Sequence, residues 1–372
     1  MTLIKLEVEI VVLIIWILAL SIQLFYYLFF YLRLSRKKKY CGNTLPPVSV
    51  VICARNEEEN LKNFLPKILT QDYPNYEVVV VNDASEDNSD LVLKDLSEKY
   101  KHLKISTIKK DEKFTHNKKL ALTIGIKAAS NEILLLTDAD CYPVDNNWIK
   151  SMVSSYKPET EIVLGYGGYE KQKGLLNKLI RFDTLTIAMQ YFTFAMAGFP
   201  YMGVGRNLSY KKSLFFKNKG FASHSHLRSG DDDLFVNETA NKNNVSINLN
   251  AHTLSVPEKK FSLWLLQKKR HQSTFHRYKL KHKILLSLEP ISRWFFYGST
   301  IIFITIKPNL FIWILGGLFL KWFFLILAYY FSTKTLKEKD LLLFSPLLDI
   351  ISLILDLIIK INKNPYRVKA WK

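Results

Sequence analysis

Apolar positions along the chain fall into three regimes. Residues 10–32 form an uncharged, mostly apolar run, long enough for the roughly 20 residues a helix needs to cross a bilayer. From Pro46-Pro47 onward, short β-branched runs alternate with helical stretches. Residues 48–53 predict a buried strand, and Asn56 is placed to cap a helix whose first turn holds Glu57, Glu58 and Glu59, where negative charge suits the macrodipole. In that helix Leu61, Phe64, Leu65, Ile68 and Leu69 share one face. Further strands at 76–81, 103–108 and 133–137, with helices at 90–99 and 118–129, complete repeated βαβ units. The expected fold class is α/β, a doubly wound, mostly parallel sheet covered by helices. Residues 162–166 read as another strand. Residues 175–197 read as an amphipathic helix on the sheet, since Lys178, Arg181 and Asp183 make them a poor membrane span.

The third regime begins near Phe261. Residues 261–290 read as a basic helix lying on a membrane interface, apolar on one side and cationic on the other. Apolar segments follow at 294–306 and 310–331; the first is short unless 284–293 extends it, and Lys321 in the second either snorkels or faces protein. The stretch 341–361 contains Pro346, Asp349, Asp356 and Lys360. It stays open between a span and an interfacial or re-entrant helix, because a span would carry the basic tail 363–372 to the wrong side. The expected organisation is an anchor with basic flank at 1–40, a soluble domain at 41–260, an interfacial helix at 261–290 and a membrane-associated region at 291–372.

Charge sharpens this picture. The 372 residues include 52 Lys and Arg against 33 Asp and Glu, a formal charge of +19. Much of the excess sits beside membrane segments, at 36–39 and 268–283. That placement favours anionic headgroups over nucleic acid, and no RNA-binding or zinc-finger pattern is present. Arg33 and Arg36-Lys37-Lys38-Lys39 follow the first apolar run instead of preceding it. The run therefore reads as an anchor and not as a cleaved leader, with the next domain in the cytoplasm. Cys41, Cys53 and Cys141 lack metal-like spacing and suit a reducing compartment.

In a doubly wound sheet, ligands bind beyond the carboxyl ends of the strands. Three expected strands deliver polar residues there: Arg55-Asn56-Glu57, Asn82-Asp83 and Asp138-Ala139-Asp140. Each alone is an ordinary capping or loop group; together they mark one rim. Asp138 and Asp140 repel one another, so either one is protonated or a cation neutralises them. Hard oxygen ligands suit Mg2+ or Mn2+, which can also bind two phosphates, as in the diphosphate of a nucleotide-sugar.

The ordered set resembles the family-two inverting glycosyltransferases with a GT-A fold, the membrane-bound group with cellulose, chitin, hyaluronan and poly-N-acetylglucosamine synthases and ceramide glucosyltransferase. The pieces that carry the resemblance are Arg55-Asn56-Glu57-Glu58, Val81-Asn82-Asp83-Ala84-Ser85, Lys118-x-x-Ala121-Leu122, Asp138-Ala139-Asp140, Gly205-Arg206-Asn207 and Gly230-Asp231-Asp232. It implies transfer of a sugar from a nucleotide-sugar, UDP-linked, to a lipid or saccharide acceptor at the cytoplasmic face of a bacterial inner membrane. It also implies donor or substrate contacts from Asn56, Glu57, Asp83, Lys118, Asp138, Asn207, Asp231 and Arg270. Metal ligation would fall to Asp138 and Asp140. Asp232 would be the general base, with the register among Asp231, Asp232 and Asp233 left open. Gln267-x-x-Arg270-His271 stands where the family has Gln-x-x-Arg-Trp; Arg270 would steady the diphosphate or face headgroups, and His271 removes an aromatic sugar platform. His224-Ser225-His226 is a polar loop or a metal pair. The competing function is a non-catalytic nucleotide-binding component of a polysaccharide assembly complex, which a broken acid set would mark. Here every acid is present.

Overall fold

The structure is a computed structural model that describes residues 2–36, 45–110, 117–227 and 229–361. Lys37 to Lys39 of the basic flank, Cys41 and the basic tail from residue 363 lie outside the described residues. The chain divides into two compact units. One comprises residues 45–184 and 194–278, the other residues 2–36, 185–193 and 279–361.

After α1 (Thr2–Phe25), chain order gives β1 (Val48–Ala54), α2 (Glu58–Leu69), β2 (Tyr76–Asp83), α3 (Ser89–Lys99), β3 (Leu103–Ile108), α4 (Lys118–Ala128) and β4 (Ile133–Leu136). Then come β5 (Cys141–Pro143), α5 (Trp148–Val153), β6 (Ile162–Tyr169), α6 (Leu175–Met196), β7 (Leu208–Lys211), α7 (Lys212–Lys217), α8 (Asp233–Thr239), β8 (Val245–Ser255) and α9 (Phe261–Gln272). The strands form one sheet in the order β3-β2-β1-β4-β7-β6-β8-β5.

β1 is buried at every position, as its β-branched run requires of a strand covered on both faces. It pairs in parallel with β2 on one side and β4 on the other. Leu61, Leu65, Ile68 and Leu69 of α2 fill the core against β1 and β2, and Phe64 is half-buried. On α4, a Cβ at Gly125 would stand 2.7 Å from Val51 Cγ1 and 2.9 Å from Val81 Cγ2, so only glycine lets the helix come this close. β7 runs antiparallel to β4, and four of the seven strand pairings are parallel. The mostly parallel sheet therefore holds, with an antiparallel extension that the sequence pattern did not announce.

Asn56 does not cap α2. It adopts φ 55° ahead of the helix, and the amide N–H groups of Glu57 and Glu58 are satisfied by Ser89 Oγ (3.2 Å) at the start of α3 and Asp87 Oδ2 (3.0 Å) just before it. The single helix expected over 261–290 is also two: α9 ends at Gln272, and the next helix begins at Leu280.

In the second unit α1 continues through altered turns to Ser35, followed later by α10 (Leu280–Ile306), α11 (Phe311–Thr335) and α12 (Ser345–Ile361). Among the described residues, three stretches are long and apolar enough to cross a membrane: Glu7–Ser35, Pro308–Thr335 and Lys339–Ile359. α10 does extend upstream through 284–293. Lys321 does not snorkel; it is fully buried, 2.8 Å from Asp349 Oδ2, and Arg293 Nη1 lies 2.7 Å from Asp349 Oδ1. Arg293 also meets Glu289, at 3.2 Å. Two cations and two anions thus close a balanced cluster joining α10, α11 and α12.

Candidate active site

Strand order reverses between β1 and β4, because the chain builds β2 and β3 to one side before returning to add β4 on the other. In open α/β sheets the crevice at such a switch point receives the ligand. Here it is lined by Cys53 of β1, Asp138 after β4, Lys118 at the start of α4, Gly205, Asp231 and Asp232. Asn117 caps α4, its Oδ1 accepting from Leu120 N at 2.9 Å, which fixes Lys118 at the rim.

Lys118 Nζ lies 2.7 Å from Asp138 Oδ1 and 2.9 Å from Asp231 Oδ2, tying two segments 93 residues apart. Burial pushes the Lys118 ammonium toward neutrality, but Asp138, Asp231 and Asp232 together hold it charged well above its ordinary range. Burial likewise raises the Asp231 carboxyl, and Lys118 more than offsets this, leaving it below the usual range. Asp232 behaves oppositely. Burial and the charges of Asp231 and Asp233 push it up to about 7, although Gly205 N–H and Asp233 N–H each donate to it at 2.8 Å. A half-buried carboxylate poised near neutrality is the electrostatic state a general base needs.

Asp140 follows Asp138 beside the same crevice. Its carboxyl is raised by burial and by Asp138, the repulsion a cation relieves. Among the described residues, Asp138, Asp140 and Cys141 offer ligand atoms within 4.8 Å of one another. The two carboxylates fit a hard divalent ion that takes its remaining ligands from phosphate and water; the Cys141 thiol is held protonated by burial and by the neighbouring acids.

Asp83 ends β2, the strand beside β1, and is fully buried; its charge bears on Cys53 together with those of Lys118, Asp231 and Asp138. Around it the strand ends clasp each other. Asn56 N–H donates to Ser85 Oγ (2.9 Å), Glu86 N–H donates to Asn56 Oδ1 (2.8 Å), and Ala84 takes φ 50°. Glu57 accepts from Asn60 Nδ2 at 2.5 Å. Asn56 and Glu57 therefore shape the rim through protein contacts.

Asn207 departs from the expectation of a substrate contact. Fully buried, it donates to Tyr166 O (2.9 Å) and Ala251 O (2.8 Å) and accepts from Trp148 Nε1 (3.0 Å). Its amide is spent joining β6, β8 and α5. The neighbouring Arg206, to which the motif assigns no contact, stacks its guanidinium 4.4 Å over the Tyr169 ring and carries its charge beside Asp140 and Asp138. Lys119, a residue the sequence reading missed, donates to His224 O (2.6 Å) and Leu227 O (3.1 Å), and burial lowers its pKa to about 8. His224 is buried and His226 exposed beside Arg277, so the two histidines form a polar loop and not a metal pair.

Arg270 and His271 lie at the end of α9. Arg270 acts on Asp231. Desolvation, and then the charges of Arg270, Arg206 and Lys118, lower the pKa of His271 and hold it neutral.

The comparisons with known proteins agree with this geometry. Residues 49–215 match the model of glycosyl transferase family 2. They are a family 2 glycosyltransferase domain. A glycosyltransferase of Haloferax volcanii is 36% identical over 30% of this chain and 36% of its own. A dolichyl N-acetyl-α-D-glucosaminyl phosphate 3-β-D-2,3-diacetamido-2,3-dideoxy-β-D-glucuronosyltransferase of Methanococcus voltae is 28% identical over 46% of this chain and 50% of its own. The chain thus spans half or less of the length of these relatives. Among solved structures, a mannosyltransferase from Pyrobaculum calidifontis with GDP-mannose and Mn2+ superposes with a TM-score of 0.60 at 17% identity, covering 92% of this chain and 99% of that one. The glycosyltransferase domain shares its GT-A fold; at that identity the likeness speaks for the fold alone.

Proposed function

We propose that the protein is a membrane-bound inverting glycosyltransferase that moves a sugar from a nucleotide-sugar, UDP-linked, to a lipid or saccharide acceptor at the cytoplasmic face of a membrane. The observation that carries the reading is the meeting of Lys118, Asp138, Asp231 and Asp232 in one crevice at the switch point. Asp232 takes the proton from the acceptor hydroxyl as its oxygen attacks the anomeric carbon, a role worth ~10² to 10⁴ in rate. Attack opposite the departing diphosphate inverts the configuration. Lys118 and Arg270 hold the negative charge that gathers on the diphosphate, and Asp83 binds the nucleoside. Asp138 and Asp140 would hold Mg2+ or Mn2+, which when bound neutralises the leaving group. Support for the metal comes from the raised Asp140 carboxyl and from the Mn2+ named with the mannosyltransferase neighbour. Support for a lipid-borne acceptor comes from the three apolar helices and the dolichyl phosphate in one relative's name.

The test incubates the purified full-length protein with UDP- and GDP-sugars, Mg2+ or Mn2+ and membrane lipids, reading released nucleoside diphosphate and the anomeric configuration of the product. One donor class should be consumed with inversion. Retention of configuration, or no turnover with any donor, would sink the reading.

A further inference from the structure

Asp233 is the third acid of the run, and the chemistry above leaves it without a task. It is buried at 7% exposure at the start of α8. Its Oδ1 accepts from Leu234 N–H at 2.8 Å, and its Oδ2 accepts from the Thr274 hydroxyl at 2.5 Å and the Tyr278 hydroxyl at 2.7 Å. Both hydroxyls stand on the turn that follows α9. The Thr274 hydroxyl also lies 2.8 Å from the His271 carbonyl, so the contact reaches the backbone of the residue after Arg270. A helix end frays unless something beyond it is tied down. Here the tie crosses more than forty residues of chain to the same loop that carries Asp231 and Asp232.

Building on the glycosyl-transfer reading, we propose that Asp233 is a positioning residue. Through Thr274 and Tyr278 it fixes the α9 segment bearing Arg270 and His271 against the acidic loop, registering the diphosphate-holding arginine with the base. A carboxylate serves here better than an amide for two reasons. One oxygen can accept both hydroxyls while the other accepts Leu234 N–H, and its charge faces Asp232. The other groups facing Asp232 include Asp231, Lys118, Lys119, Tyr210, Tyr278 and the N–H groups of Gly205 and Asp233. Removing the Asp233 charge leaves Asp232 a weaker base.

The experiment uses full-length protein in lipid nanodiscs as wild type, Thr274→Val, Tyr278→Phe, Asp233→Asn and the Tyr278→Phe/Asp233→Asn double variant, with Asp232→Asn as control. Three readouts are taken: UDP and GDP affinity by calorimetry, kcat and KM for the donor, and kcat/KM against pH. Loss of the tie should weaken diphosphate affinity severalfold and lower kcat about tenfold to a hundredfold, the scale of a displaced catalytic group. The double variant should be no worse than its poorer parent, since both changes cut one link. The acid limb of Asp233→Asn should move to lower pH. Wild-type affinity and kcat in all variants, with only thermal stability reduced, would overturn the proposal, as would fully additive losses. An Asp232→Asn control as active as wild type would instead bring down the reading of the reaction, while the affinity arm still decides the tie.

Discussion

Asp231, Asp232 and Asp233 are neighbours of identical chemistry, and their partners separate them. Asp231 is neutralised by Lys118, Asp233 is bound by two hydroxyls, and Asp232 keeps a raised carboxyl at the crevice. A base must be unprotonated to work, so kcat/KM should fall about tenfold per pH unit as pH drops below about 7 and level off above it. A pH–rate profile flat down to about pH 5 would remove Asp232 from that role. Sequence alone placed Asp83, Asp138 and Asp140 at one rim, because Asp83 closes the β-branched run of β2 and the other two follow the short apolar run of β4. It could not choose among the three aspartates, whose difference lies in Lys118, Gly205, Thr274 and Tyr278, all distant in the chain. Asn207 misled for the same reason: its partners Trp148, Tyr166 and Ala251 are visible only once β6 and β8 are paired.

At the scale of elements, β1 to β4 and α2 to α4 were readable because periodicity, burial and turn residues agree there. β5, β7 and β8 were not. β5 has three residues and β7 four, and β8 carries Asn248, Asn250 and His252 in a run where strand propensity is low. What holds β8 is tertiary: Asn207 binds Ala251 O, and Asn248 donates to Ser151 O and Ser155 Oγ. Asn207→Ala should leave buried carbonyls unpaired and cost on the order of 2–3 kcal/mol. The expected result is a lower unfolding temperature with nucleotide affinity kept at low temperature; unchanged thermal stability would contradict the role of this amide as a brace. The break between α9 and α10 escaped the sequence reading because basic residues recur on both sides of it, at 268–271 and 276–283. In the fold, the Thr274 and Tyr278 hydroxyls of that turn donate to Asp233.

At the scale of the whole molecule, one unit holds the crevice and the other the three apolar stretches long enough to span a bilayer. The sequence found both by composition. It could not resolve α12, where Asp349 reads as an obstacle to a span; in the fold Arg293 and Lys321 neutralise it. Breaking one side of a buried ion cluster costs about 3–5 kcal/mol, whereas replacing opposed partners by apolar residues costs little. Asp349→Leu should therefore sharply lower thermal stability in detergent, and adding Lys321→Leu should recover much of it; equal stability of the single variant and wild type would show that the cluster does not secure α12. The central claim concerns the crevice, and Asp232→Asn tests it most directly, with nucleoside diphosphate affinity and sugar transfer measured on the same preparation. The account expects transfer to be lost while affinity stays within about twofold of wild type, the amide retaining the shape without the proton-accepting charge. Affinity lost in step with transfer would make Asp232 a ligand or a structural residue, and the acid-base account would fail.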